Sequence, residues 1–121
     1  MTRGVRGAIQ VEADTREAIL KAASELLREM IARNEMQPED IASIFMTATP
    51  DLTAEFPAYA VRENGYTRVP VLCAVEMNVP TGMKRLIRAL IHWNTNKEQS
   101  EIKHVYLGEA AKLRPDLSGD E

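Results

Sequence analysis

Arg88 is a permanent cation inside an apolar run, VPVLCAVEMNVPTGMKRLIRALIHWN, which spans Val69 to Asn94 and also holds Cys73 and Glu76. A guanidinium keeps its proton in a protein, so burying one is costly unless a carboxylate, a dipole or a bound anion meets it. Two chemistries fit Arg88: a structural ion pair within the fold, or half of an anion-binding site whose other half is a ligand. Residue type alone favours the ion pair. Of the further arginines, Arg62 and Arg114 stand near points where elements end, and Arg6 lies among small neighbours. With Glu76, Cys73 and Tyr106 they form a set suited to holding a polyanion rather than to moving protons.

Standard catalytic equipment is missing. The chain has no serine–histidine–acid order, P-loop, GxGxxG or clustered metal ligands. His92 and His104 lack the spacing of a shared metal site, and one cysteine cannot build a structural thiolate site. Both histidines read as structural or surface residues, and Cys73 reads as a small buried hydrophobe. Covalent catalysis is disfavoured.

Composition limits the options further. With 121 residues the chain reads as one domain, too small to build a deep cleft alone, so a ligand site would draw on a second subunit. Lys and Arg total 15 against 18 Asp and Glu, a net charge of −3, and the basic residues are scattered. That argues against nucleic acid and against an anionic membrane as partners. A single cysteine, no apolar stretch of transmembrane length and an amino-terminal MTRGVRGAIQ without a hydrophobic signal core point to the cytoplasm.

The elements that must position these residues are mixed. Arg3 to Glu12 alternates as a strand, with Val5, Gly7, Ile9 and Val11 on one side and Gly4, Arg6, Ala8 and Gln10 on the other, leaving space around Arg6. Asp14 to Glu17 has a capping-box pattern with Asp14 as the cap, and Ile19, Ala23, Leu26 and Met30 recur at helical spacing up to Asn34, the predicted left-handed stop. Pro38-Glu39-Asp40 precedes a predicted buried strand, IASIFMTATP. Pro57 to Gly65 suits a short helix with Arg62 on its last turn. Arg68 to Glu76 is strand-like, with Pro70 marking an edge or bulge. Propensity makes Met83 to Trp93 helical, although a strand fits too. His104 to Leu107 reads as a short strand, GEAAKLR as a turn or two of helix, and the tail PDLSGDE has little to pack with.

RGxRGA at Arg3 to Ala8, TPDL with FPAxAVRE at Thr49 to Glu63, VPVxCxxEM at Val69 to Met77, IRxL at Ile87 to Leu90, and HVYL with LRPDL at His104 to Leu117 together resemble the chorismate mutases of the AroH class. The likeness runs from Arg3 to Leu117, with the motifs in the family's order. It implies a single domain over 1–117 with a flexible tail at 118–121. The implied fold is α/β (α+β): a mixed sheet with one long and one short helix, assembled as a trimeric pseudo-α/β-barrel with active sites at the subunit interfaces. In that family Met83 to Trp93 is a strand, against its helical propensity.

The resemblance also implies a reaction, the Claisen rearrangement of chorismate to prephenate, without cofactor, metal or covalent intermediate. Carried over by position, Arg88 donates to the ether oxygen and a carboxylate, and Arg6 and Tyr106 bind carboxylate. Glu76 accepts from the ring hydroxyl, which the Cys73 position also contacts. Phe56 and Ala58 line an apolar wall, and Arg62 and Arg114 guard the mouth. Tyr59 stands where some relatives have lysine and Leu72 where some have threonine, which implies altered affinity rather than lost chemistry. Two other readings remain: the same charges as ion pairs in an inactive trimer, or a trimeric sensor of a small carboxylate metabolite.

Overall fold

The computed structural model describes residues 1–113 of the chain. β1 (Thr2–Gln10) alternates as its sequence does, burying Val5, Gly7 and Ile9 on one face and presenting Arg6 on the other. α1 (Arg16–Asn34) follows, and its Ile19, Ala23, Leu26 and Met30 are fully buried. Removing each of the larger ones from water contributes roughly 1.5–3 kcal/mol, which anchors the helix to the sheet.

Both ends of α1 differ from expectation. The N-cap is Thr15, whose hydroxyl accepts from the Ala18 N–H at 3.1 Å. Asp14 instead accepts from the Thr53 N–H and hydroxyl and from the Ala54 N–H, so it ties the helix start to the loop after the second strand. Those donors favour the carboxylate and lower its pKa. At the far end the left-handed residue is Glu35, φ 55°. Asn34 stays helical because its buried amide is committed elsewhere: Nδ2 donates to Met30 O and Lys103 O, and Oδ1 accepts from the Lys103 N–H.

β2 (Ile41–Ala48) is not wholly buried as expected. Ile44 and Met46 face the core while Phe45 is 41% exposed, and a bulge between Ile41 and Ser43 sets that alternation. α2 (Tyr59–Glu63) is a single short helix that ends before Gly65, φ 91°. β3 (Val71–Val75) starts just after Pro70. β4 (Leu86–Asn94) overrides its helical propensity because it lies at the centre of the sheet, paired on both sides. Its Ile87, Ala89, Ile91 and Trp93 are buried. β5 (Val105–Leu107) and a 3-10 turn over Gly108–Leu113 complete the described chain.

The strand order is β3-β2-β4-β1-β5. β4 runs antiparallel to β1 and β2, whereas β3 is parallel to β2 and β5 to β1. The α+β architecture expected from the sequence is therefore present: one mixed sheet, one long helix and one short one. α1 covers one sheet face and makes the main core with it. The other face is open, except at one end, where the 3-10 turn packs Ala110 against Ala8, Leu86 and Tyr106.

The start of β4 is fixed with unusual care. Arg85 adopts a left-handed backbone, φ 51°, that most side chains avoid. Its N–H donates to Asp51, its Nε donates to Val11 O at 2.8 Å, and its carbonyl accepts from the Val11 N–H at 2.6 Å. The next residue, Leu86, donates to the Thr49 hydroxyl and accepts from the Thr49 N–H. Asp51 in turn has its pKa lowered, chiefly by a hydrogen bond from the Thr49 side chain.

Candidate active site

Strand register decides which charged residues meet. Across the sheet, Arg88 stands opposite Thr47 on one side and Ala8 on the other, Ala8 stands opposite Tyr106, and Arg6 stands opposite Leu90. Directly paired residues share a face, and so do residues two apart. Arg6, Thr47, Arg88 and Tyr106 therefore all project from the open face. Glu76 joins them from just beyond β3, where its N–H donates to Ala48 O at 2.9 Å and extends the β2–β3 pairing. Together with Phe45 these residues line a hollow of about 300 Å³.

Arg88 is not buried, contrary to its apolar context. The run around it alternates as a strand, so Ile87 and Ala89 turn to the core while half of the Arg88 side chain is exposed. Its partner is Glu76: Nε donates to Oε2 at 2.8 Å and Nη2 to Oε1 at 2.5 Å. The Thr47 hydroxyl adds a third bond, to Glu76 Oε2 at 2.7 Å. The Arg88 hydrogen bonds foremost, and then that of Thr47, hold the Glu76 carboxyl below the usual glutamate range despite its burial. Glu76 reinforces the positive charge of Arg88 in return. Arg6 donates to the Tyr106 hydroxyl through Nε and Nη2 at 3.4 and 3.3 Å, long contacts that leave the guanidinium largely available.

The remaining predicted residues lie elsewhere. Phe56, Ala58, Tyr59, Arg62, Leu72 and Cys73 line a second hollow of about 390 Å³, between α2 with its preceding loop and the β3 edge. Phe56 and Leu72 are 60% and 65% exposed there. Burial pushes the Cys73 thiol up, away from the thiolate a nucleophile needs. Cys73 pairs with Met46 whereas Thr47 pairs with Arg88, so Cys73 and Arg88 project from opposite faces of the sheet. Within one chain, Cys73 and Glu76, both assigned to one ring hydroxyl by the resemblance, line different hollows. Arg114 lies outside the described residues.

Thr47 was not singled out by sequence. Its two-residue offset from Phe45 on a strand was visible, but its proximity to Glu76 depends on the pairing of β2 with β3, which periodicity does not reveal. Among the described residues no group of three or more metal-ligating side chains is close enough to hold an ion, and no helix is long and apolar enough to cross a membrane.

Residues 2–117 match the family model described as chorismate mutase type I. Among curated proteins, the chain is 52% identical over 118 residues to the chorismate mutase AroH of Thermus thermophilus, covering 97% of both chains. It is 49% identical over 119 residues to the chorismate mutase AroH of Bacillus subtilis strain 168, covering 98% of this chain and 94% of that one. Among solved structures, a chorismate mutase from Clostridium thermocellum superposes with a TM-score of 0.88 at 40% identity, over 90% of this chain and 97% of the other.

Proposed function

This chain belongs to the type I chorismate mutase family, and on that premise we propose that it rearranges chorismate to prephenate at centres shared between subunits of a homotrimer, each chain acting as one domain over 1–117. Chorismate carries two carboxylates, a ring hydroxyl and an enolpyruvyl ether. In the rearrangement the ether C–O bond breaks while a C–C bond forms at the far end of the arm, and no proton moves. A catalyst needs only to fold the arm over the ring and to meet the negative charge that grows on the ether oxygen.

The hollow on the open face suits that task. Arg88 pairs with Glu76 through one edge of its guanidinium, and its other edge donates to the ether oxygen and to a substrate carboxylate. Arg6 and Tyr106 take carboxylate. Glu76, held as an anion by its neighbours, accepts from the ring hydroxyl. The second hollow, from a neighbouring copy, closes the centre: Cys73 meets the ring hydroxyl, Phe56 and Ala58 form an apolar wall, and Leu72 and Tyr59 adjust affinity. Arg62 and Arg114 retain the dianion at the mouth.

The observation that carries this arrangement is the placement of Cys73 and Arg88 on opposite faces of one sheet. A single chain therefore holds two half-sites, and an open face bearing the partly exposed Phe45 gives copies a surface on which to join them. The Arg88–Glu76 pair is what a purely structural role would also require. Turnover separates the two: chorismate absorbance must fall faster with the protein than without it, and an unchanged rate leaves only a structural or sensing role.

Subunit sharing has its own test. Arg88→Ala removes one half-site, and Ala58→Asp, at the residue that leads into α2, sets an anion against the dianion in the other. Each variant alone should be nearly inactive. Trimers reassembled from an equal mixture should recover about a quarter of wild-type activity, because that fraction of interfaces joins two intact halves. No recovery would mean that one chain supplies the whole centre.

A further inference from the structure

We infer that Thr47 is a positioning residue for this reaction: its hydroxyl holds the Glu76 carboxylate in place for the substrate's ring hydroxyl while Arg88 engages the breaking bond. The inference rests on the site assignment above and adds to it a residue with a separate duty. Glu76 lies just past the end of β3, so its backbone is fixed by the Ala48 bond but its side chain is not fixed by the strand. Two groups orient that side chain. One is Arg88, which the substrate also needs. The other is Thr47, whose hydroxyl reaches Oε2 at 2.7 Å from the strand position paired with Arg88.

The division of labour follows from charge. An arginine whose other edge meets an ether oxygen and a carboxylate divides its positive charge among them, and its hold on Glu76 weakens at the moment Glu76 must stay aimed. A threonine hydroxyl has no such competing duty. Being neutral, it supports the carboxylate without neutralising the charge that makes Glu76 a strong acceptor. It also rides on β2, an inner strand of the sheet, so the support itself is rigid. Valine, of the same shape and at least as suited to a strand, would serve if position 47 were there only to pack.

Removing one hydrogen bond to a charged group predicts that kcat/KM falls about tenfold in Thr47→Val. Thr47→Ser, which keeps the hydroxyl, should stay within about twofold of wild type. A second readout separates positioning from packing. Glu76 is faced by Arg88 from β4, Arg6 from β1 and Tyr106 from β5, with Asp51 and Lys84 lining the adjoining hollow that Glu76 also borders. With these unchanged, loss of the Thr47 donor destabilises the carboxylate, so the acid limb of kcat/KM against pH moves upward in Thr47→Val and returns in Thr47→Ser. Thr47→Ala repeats the measurement without added bulk. Unchanged kcat/KM with an unmoved limb in Thr47→Val and Thr47→Ala overturns the inference, as does a Thr47→Ser variant as impaired as Thr47→Val. A wild-type protein that leaves chorismate untouched overturns the site assignment instead.

Discussion

Under α1, a Cβ added at Gly7 would come within 2.5 Å of Met30 Sδ and 2.9 Å of Leu26 Cδ1, both in fully buried side chains. Three residues earlier, on the open face of the same strand, a Cβ at Gly4 would meet only Leu90 Cδ1 at 3.5 Å, an ordinary contact. The two faces thus obey different rules. On the covered face the constraint is volume, and identity matters little as long as apolar side chains fill the space. On the open face there is room to spare, and the constraint is where donors and charges point. Lesions on the first should be read in stability, and lesions on the second in turnover.

The largest effect that would sharpen this contrast is Arg88→Ala. It should lower kcat on the order of a hundredfold to a thousandfold, roughly 3 kcal/mol of transition-state stabilisation. The half-exposed side chain buries little area, but its loss leaves the Glu76 carboxylate with Thr47 alone, so the thermal unfolding temperature should fall modestly, a far smaller effect than that on kcat; a loss that appeared mainly in KM would break the proposed role. Next is Gly7→Ala, which should destabilise by about 1–3 kcal/mol in denaturant titrations through overpacking, against less than about 0.5 kcal/mol for Gly4→Ala. Equal costs at the two glycines would erase the distinction between the faces.

The smallest effects concern pH. No step needs a proton, so kcat should be nearly flat through neutrality, and a sharp bell there would reveal a missed transfer. Asp14, Asp51 and Glu76 all have pKa values below their ordinary 3.8, 3.8 and 4.5 in the folded chain. Their contribution to stability is therefore complete above those ordinary values and is lost as pH falls through the lower folded-state ones. Acid unfolding monitored by circular dichroism should begin only below about pH 4, and a stability loss between about pH 5 and 7 would contradict it.

Much of the covered face was legible in the sequence, because burial imposes periodicity: β1 and α1 fell where alternation and helical spacing put them. β4 was ambiguous for a physical reason, since KRLIRALIHW favours a helix in isolation and becomes a strand only through partners far away in sequence. The ends of α1 depart from the local pattern where a side chain has a better remote partner: Asp14 with Thr53, and Asn34 with Lys103. The candidate site was legible as a set of motifs and not as a place. Arg6, Glu76, Arg88 and Tyr106 were named from the chain, but their meeting, the addition of Thr47, and the separation of Cys73 from them all depend on pairings between distant strands.

Those pairings give the left-handed Arg85 its significance. Strand side chains alternate, so if β4 slid by one residue against its neighbours every side chain on it would change sides. Ile87 would face outward, and the Arg88 cation would be driven beneath α1 among fully buried leucines. Hydrophobicity opposes such an error only in proportion to the side chains it displaces. Arg85 opposes it directly, because its bonds to Asp51 and to both backbone groups of Val11 exist in one alignment alone. The strained residue acts as an index mark: it sets the parity of the central strand, and so decides which face of the sheet is chemical.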